Sequence, residues 1–291
     1  MNKMNKTYSN KTSGKKIFRT IVCIFLCFLA LFPFYILIVN ATLRHADIAS
    51  GIKLIPGKYF FTNFQSLFDP KKRIVSTFTL FEAFRNSIII TVPTTILQIY
   101  FGSLTAYALT VYRFKGRDLA WGFIYAIMMI PTQVSIVGLI KVCKITNMYG
   151  TFWPLIFPAI AAPTTVYFMK QYMESGLSLE IIEAARIDGC SEFGIFNIIA
   201  LPLLKPAMAT QAIFAFVASW NNLYNPTMLL GSHTELSTLP MYAQAIRNND
   251  KRQDYGQVYT ALLCAILPII IAYLFLSKYI VAGVALGGVK E

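Results

Sequence analysis

Charge is what this chain most lacks. Only 13% of its 291 residues are Asp, Glu, Lys or Arg, where a soluble domain carries about a quarter. Hydrophobic residues make up 56%, and the mean hydropathy is +0.57. That balance excludes a water-soluble globule and makes lipid the natural solvent. Histidine is almost absent: His45 and His233 are the two present, and both fall at the ends of apolar stretches. No paired carboxylates and no metal-ligand spacing lie inside those stretches, which argues against an intramembrane enzyme and against a metal site. The five cysteines, Cys23, Cys27, Cys143, Cys190 and Cys264, follow no metal spacing and serve as small apolar side chains. No Gly-x4-Gly-Lys-Ser/Thr phosphate loop occurs, because Gly14-Lys15 and Gly57-Lys58 lack both the earlier glycine and the following Ser or Thr. Alternating strands of about ten residues, the mark of a membrane β-barrel, are missing too.

What remains is apolar and continuous. Six charge-free stretches exceed 20 residues: 20–43, 86–112, 119–140, 145–169, 206–234 and 255–277. A hydrocarbon layer about 30 Å thick takes roughly 20 helical residues. Backbone groups in lipid must be satisfied within the segment, so the expectation is an all-α membrane protein of six transmembrane helices. Residues 1–16 read as a basic tail and 17–291 as one helical domain. The stretch from residue 20 follows basic residues as a signal peptide would. It is long, however, and no convincing small-residue cleavage site follows it, so it reads as the first span.

The net charge of +13 starts in the tail, at Lys3, Lys6, Lys11, Lys15, Lys16 and Arg19. Beside a membrane, such a tail meets anionic headgroups rather than nucleic acid. Together with the short basic loop Arg113–Arg117, it favours an inside N-terminus. Prolines 93, 131, 154, 158, 163, 226 and 268 should kink the spans that contain them.

Residues 171–205 form a long polar loop between the fourth and fifth stretches. Ser178 suits a helix N-cap, with Glu180 at the positive helix end. Leu177 and Ile182 fit a hydrophobic staple. A helix over Leu179–Asp188 should end at Gly189 in the left-handed conformation. Ser191 can cap a second short helix, which Pro202 and Pro206 should end. A helix of this kind can dock into a partner: Ala184 and Ala185 let backbones approach, and Glu183 can pair with a basic group. It can equally be an ordinary amphipathic loop helix.

The fifth stretch is apolar yet carries Gln211, Ser219, Trp220, Asn221 and Asn222. Gln211 and Asn222 are 11 residues apart, about three turns, so a continuous helix would place them on one face. Amides both donate to and accept from hydroxyls, and rings pack on sugar faces, so the set suits a neutral sugar. The same amides could instead bond helix to helix.

The run from Glu183-Ala184-Ala185 through Gly189 to Ile199 and Leu201-Pro202 resembles the EAA loop of permease subunits in bacterial binding-protein-dependent ABC importers. Met129-Ile130-Pro131, Trp153-Pro154, Ser178-Leu179-Glu180, Trp220-Asn221-Asn222, Leu239-Pro240 and the ending from Ala282 to Lys290 are similar to the carbohydrate branch. They look like the smaller permease subunit of the maltose-transporter type. Two positions depart: Cys190 stands where alanine is usual, and Asn222 varies in the family, which leaves the substrate open.

The resemblance implies a type I importer transmembrane domain. It implies a second, homologous permease as heterodimeric partner, two ATPase subunits that bind ATP-Mg, and an extracytoplasmic solute-binding protein. Glu183, Ala184, Ala185, Asp188, Gly189, Ile199, Leu201 and Pro202 would then couple to the ATPase, and Gln211, Ser219, Trp220, Asn221 and Asn222 would line a sugar path. The chain itself would hold no cofactor, no metal and no catalytic residue. It would lie in the bacterial plasma membrane with both termini cytoplasmic, and the tail from Gly283 would either reach the ATPase or end as a frayed terminus. A self-sufficient secondary transporter would instead show ionisable residues within its spans, and the span cores carry none.

Overall fold

The computed structural model describes residues 11–249 and 253–287. Lys3 and Lys6 of the basic tail and the last four residues of the C-terminal tail lie outside the described residues. Among those described, all regular structure is helical. The principal helices are α1 (Lys11–Ala41), α2 (Leu80–Val111), α3 (Arg117–Met128), α4 (Thr132–Ile145), α5 (Pro163–Gly176), α6 (Leu179–Ile187), α7 (Lys205–Trp220), α8 (Tyr224–Leu229), α9 (Leu239–Arg247) and α10 (Tyr255–Gly287). Three segments are single helices long and apolar enough to cross a membrane: Lys16–Ala41, Leu80–Val111 and Tyr255–Ser277.

The other three apolar stretches are broken, and proline chemistry explains the first two breaks. Residues 119–140 do not form one helix. Arg117–Met128 and Gln133–Ile145 meet at 105°, because Pro131 offers no N–H and disfavours helical geometry at Ile130. Residues 145–169 are a turn, two short helices (Trp153–Ile156 and Phe157–Ile160), and then α5. Pro154, Pro158 and Pro163 each sit at the first or second position of a helix, where the missing donor costs nothing. Residues 206–234 break after Trp220, leaving α7 and α8 as separate helices. By contrast, Pro93 and Pro268 lie inside continuous helices. At its far end α10 runs to Gly287, ten residues past the stretch expected from charge.

The chain forms two compact units. The first comprises residues 1–74 and 249–263. In it, an 18-residue window of α1 has no buried residue; a helix apolar on all sides and unburied is a lipid-facing or partner-facing one. The rest of this unit closes around Asn63, whose Nδ2 donates to the carbonyls of Ala41 (3.0 Å) and Leu43 (2.9 Å). Gly256 allows that approach, since a Cβ there would lie 2.8 Å from the Asn63 amide.

The second unit comprises residues 75–248 and 264–291, and α2 is its centre, packed against α5 and α7. Thr79 and Glu82 form a capping box that starts α2: Glu82 N donates to the Thr79 hydroxyl at 3.1 Å, and Thr79 N donates to the Glu82 carboxylate at 2.7 Å. Asn86 and Ser87 are buried and bind the backbone before α9. Asn86 Nδ2 donates to the carbonyls of Glu235 (2.8 Å) and Ser237 (3.0 Å), and Ser87 Oγ accepts from Leu239 N (2.8 Å). Lower down, Gly102 lets α2 meet α5, because a Cβ would stand 2.7 Å from Thr165 Cγ2.

Candidate functional site

Two places in the second unit carry the polar chemistry. The first is the corner between α6 and the helical segment Glu192–Leu203. Ile182 and Ala185 turn inward, fully buried or nearly so, in a core built with Tyr107, Met169, Met173, Leu177, Phe196 and Leu204. Leu177 and Ile182 both enter this core, as the staple requires. Ser178 does occupy the N-cap position, but its side chain makes no capping hydrogen bond. Burial rather than capping holds the start of α6. Ala185 packs against its own chain and is not free to receive a partner's backbone, whereas Glu183, Ala184, Ile187, Asp188 and Gly189 are exposed. Ile187 is 87% exposed and Phe193 67%. Glu183 forms no ion pair among the described residues.

Gly189 has φ +79°, and a Cβ there would meet nothing within 4 Å. Its requirement is conformational, not steric. Ser191 Oγ accepts from Gly194 N at 3.2 Å and starts the next helical segment as expected. A stretch of π-helix, Ile195–Ala200, follows. Ile199 and Leu201 lean on the core while Pro202 is exposed. The segment ends at Leu203, one residue past Pro202, and bends by 80° into α7, which has Pro206 in its first turn, as expected.

A clamp that the sequence did not reveal fixes the corner. Arg186 donates from Nε and Nη2 to the two Glu192 oxygens (2.6 and 3.2 Å), and Tyr112 Oη donates to Glu192 Oε2 (2.7 Å). Arg186 also sits 5.6 Å over the Tyr112 ring. Arg186, with Tyr112 assisting, holds the Glu192 carboxyl below the usual carboxylate range. Burial, then the bond to Glu192, pushes the Tyr112 hydroxyl up to about 12. Arg186 and Glu192 are six residues apart on different helices, so no i,i+4 rule finds them.

The second place is the polar middle of the helices. Gln98 Nε2 donates to Thr165 Oγ1 at 2.8 Å, and the Thr165 hydroxyl points to Gln211 Oε1 at 3.5 Å. This chain ties α2, α5 and α7 beside a cavity of about 390 Å³. Gln98, Thr164, Tyr167, Phe168, Gln211 and Phe214 line it, and no Asp, Glu, Lys, Arg or His does.

The other residues expected in this region go elsewhere. Ser219 donates to Thr91 Oγ1 (3.3 Å). Trp220 is buried, donates to the Ala265 carbonyl (3.0 Å) and packs between Phe84 and Phe216. Asn221 is exposed at the end of α7, and Asn222 Oδ1 accepts from Asn225 N (3.0 Å) at the start of α8. Gln211 and Asn222 therefore do not share a helix face, since α7 ends between them. Gln98 and Thr165 were missed because they sit on helices judged only for apolarity. A Gln within a charge-free stretch was the available signal.

The long apolar helices define an integral membrane protein, and the corner after α6 gives it an exposed polar edge. The family comparison agrees. Residues 98–285 match the family described as binding-protein-dependent transport system inner membrane component, and the chain belongs to that family. It is a permease component of an ABC importer in the inner membrane, and membership implies a solute-binding protein and an ATPase as partners. The arabinooligosaccharides transport system permease protein AraQ of Bacillus subtilis is 33% identical, covering 97% of this chain and 99% of that protein. The melibiose/raffinose/stachyose import permease protein MelC of the same organism is 32% identical, covering 96% and 98%. The fold matches a crystal structure of a bacterial ABC transporter involved in the import of the acidic polysaccharide alginate. The TM-score is 0.75 at 21% identity, with 94% of this chain and 98% of that one covered.

Proposed function

We propose that this chain forms half of the translocation path for a neutral sugar or oligosaccharide, beside a second, homologous permease. It catalyses nothing itself; two ATPase subunits bind ATP-Mg and close on the exposed face of α6. The observation that carries this reading is the division of labour within α6. Ile182 and Ala185 fix the helix to the core, and the clamp fixes its corner, so Glu183, Ala184, Ile187 and Gly189 form a stiff exposed edge. A stiff edge transmits a push, where a loosely held loop would absorb it. In this orientation both termini and the corner lie on the cytoplasmic side.

The names of the relatives support a sugar, and the uncharged cavity favours a neutral one over an acidic one such as alginate. The test is co-purification in mild detergent of the tagged wild type beside the double variant Glu183→Arg with Gly189→Trp. The wild type is expected to bring down an ATPase and a second permease, and the variant to lose the ATPase while keeping the permease. If the wild type brings down no ATPase under any condition, the coupling role of α6 is wrong.

A further inference from the structure

Resting on the neutral-sugar reading, we propose that Gln98 and Gln211 hold one saccharide ring against Tyr167, as a binding site inside this subunit. The Thr165 hydroxyl accepts from Gln98 Nε2 and points to Gln211 Oε1. That leaves the other half of each amide without a partner among the described residues: the Gln98 carbonyl as acceptor and the Gln211 NH2 as donor. Both residues line the cavity. At Asn63 and Asn86, by contrast, both hydrogens of the amide are taken up by backbone carbonyls. Here one end anchors and the other is open.

A donor and an acceptor side by side match adjacent sugar hydroxyls, each of which can accept one bond and donate another. Thr164 adds a hydroxyl to the wall. Tyr167 supplies the apolar face, and its ring is fixed: it stacks on Trp121 at 5.7 Å and 7°. Lys170 Nζ in turn lies 4.5 Å from the centre of the Trp121 ring. The cavity volume of about 390 Å³ falls within the range of small-molecule sites. The absence of charged groups in the lining selects against anionic sugars, which would lose hydration without gaining a counter-ion.

The stack gives the site its own optical probe, because a ring placed on Tyr167 alters the surroundings of Trp121. The experiment uses the assembled transporter in nanodiscs, without its binding protein, titrated with arabinotriose, raffinose, maltotriose and an alginate trisaccharide. A saturable change in tryptophan fluorescence is expected with at least one neutral sugar and not with the alginate fragment, and Trp121→Phe should abolish it. Gln98→Ala and Gln211→Ala should each raise the half-saturating concentration about tenfold, the loss of one or two hydrogen bonds.

If those variants fail to assemble, Thr164→Val decides, since it removes a hydroxyl without touching the Gln98–Thr165–Gln211 chain. A several-fold weakening supports the site. Unchanged half-saturation in the assembled variants overturns it. Sugar uptake by the wild-type complex with its binding protein is measured in parallel. Uptake of a neutral sugar with no effect of the variants sinks the site alone. Uptake of the alginate fragment in place of every neutral sugar sinks the neutral-sugar reading itself.

Discussion

The corner at Gly189 and the cavity beside Gln211 share α2 and α5, yet they use opposite polar chemistry. The corner is held by an ion pair, Arg186 with Glu192, whose side chains remain 35% and 47% exposed. The cavity is held by two amides and a hydroxyl with no charge at all. The difference follows from where each lies along the helices. The corner projects beyond the helix ends, where water keeps charges affordable and each pair is weak, about 0.2–1 kcal/mol. The cavity lies beside the middle of an apolar span, where an ionised side chain costs several kcal/mol and a hydrogen-bonded neutral amide far less. Rigidity at the corner therefore comes from burial of Ile182 and Ala185, with the ions setting the angle. At the cavity, polar side chains both join the helices and leave bonding capacity for a solute.

The largest test of this contrast is a pair of neighbours on α6. Ala185→Leu overfills the core beneath the corner and should cost about 1–3 kcal/mol, read as a lower unfolding temperature in detergent. Ala184→Leu, one residue away on the exposed edge, should leave that temperature within the scatter of surface changes, about 0.5 kcal/mol, and instead weaken ATPase capture. Equal unfolding temperatures for the two variants would break the division between buried anchor and exposed edge.

A smaller effect tests the start of the second segment. Ser191→Ala removes the bond to Gly194 N and should cost about 1 kcal/mol, while saccharide titration of the cavity stays as in wild type. The smallest concerns charge. Because the Glu192 carboxyl is held below its ordinary range, the clamp is fully formed above the ordinary carboxyl pKa. It weakens as pH falls through the depressed value. Glu192→Gln should cost about 0.5 kcal/mol near neutral pH and flatten the acid side of the stability profile. An identical acid slope in variant and wild type would show that the clamp carries no stability.

Much of the corner was legible because its signals are local. Gly189 takes positive φ, Ser191 caps, and Leu177 and Ile182 enter one core, each a matter of short spacing along the chain. The failures have two causes. Kinks were expected at the prolines, but residues 211 to 222 were taken as one continuous helix, on which Gln211 and Asn222 align. The backbone leaves the helix after Trp220, so Asn222 caps α8 instead. Trp220 looked like a sugar platform because aromatic rings suit sugars. Its burial between Phe84 and Phe216 depends on neighbours that no local pattern identifies.

By itself the sequence determined the solvent, the helical class and the helical corner at Gly189, because hydropathy, backbone satisfaction in lipid and left-handed glycine geometry are properties of short runs of residues. Only the tertiary structure decided which of two adjacent alanines faces outward, which residues clamp the corner, and which amides keep a free end. Those outcomes depend on how helices far apart in the chain cross, and the crossing is set by close approaches such as Gly102 on Thr165, which link residues more than sixty positions apart.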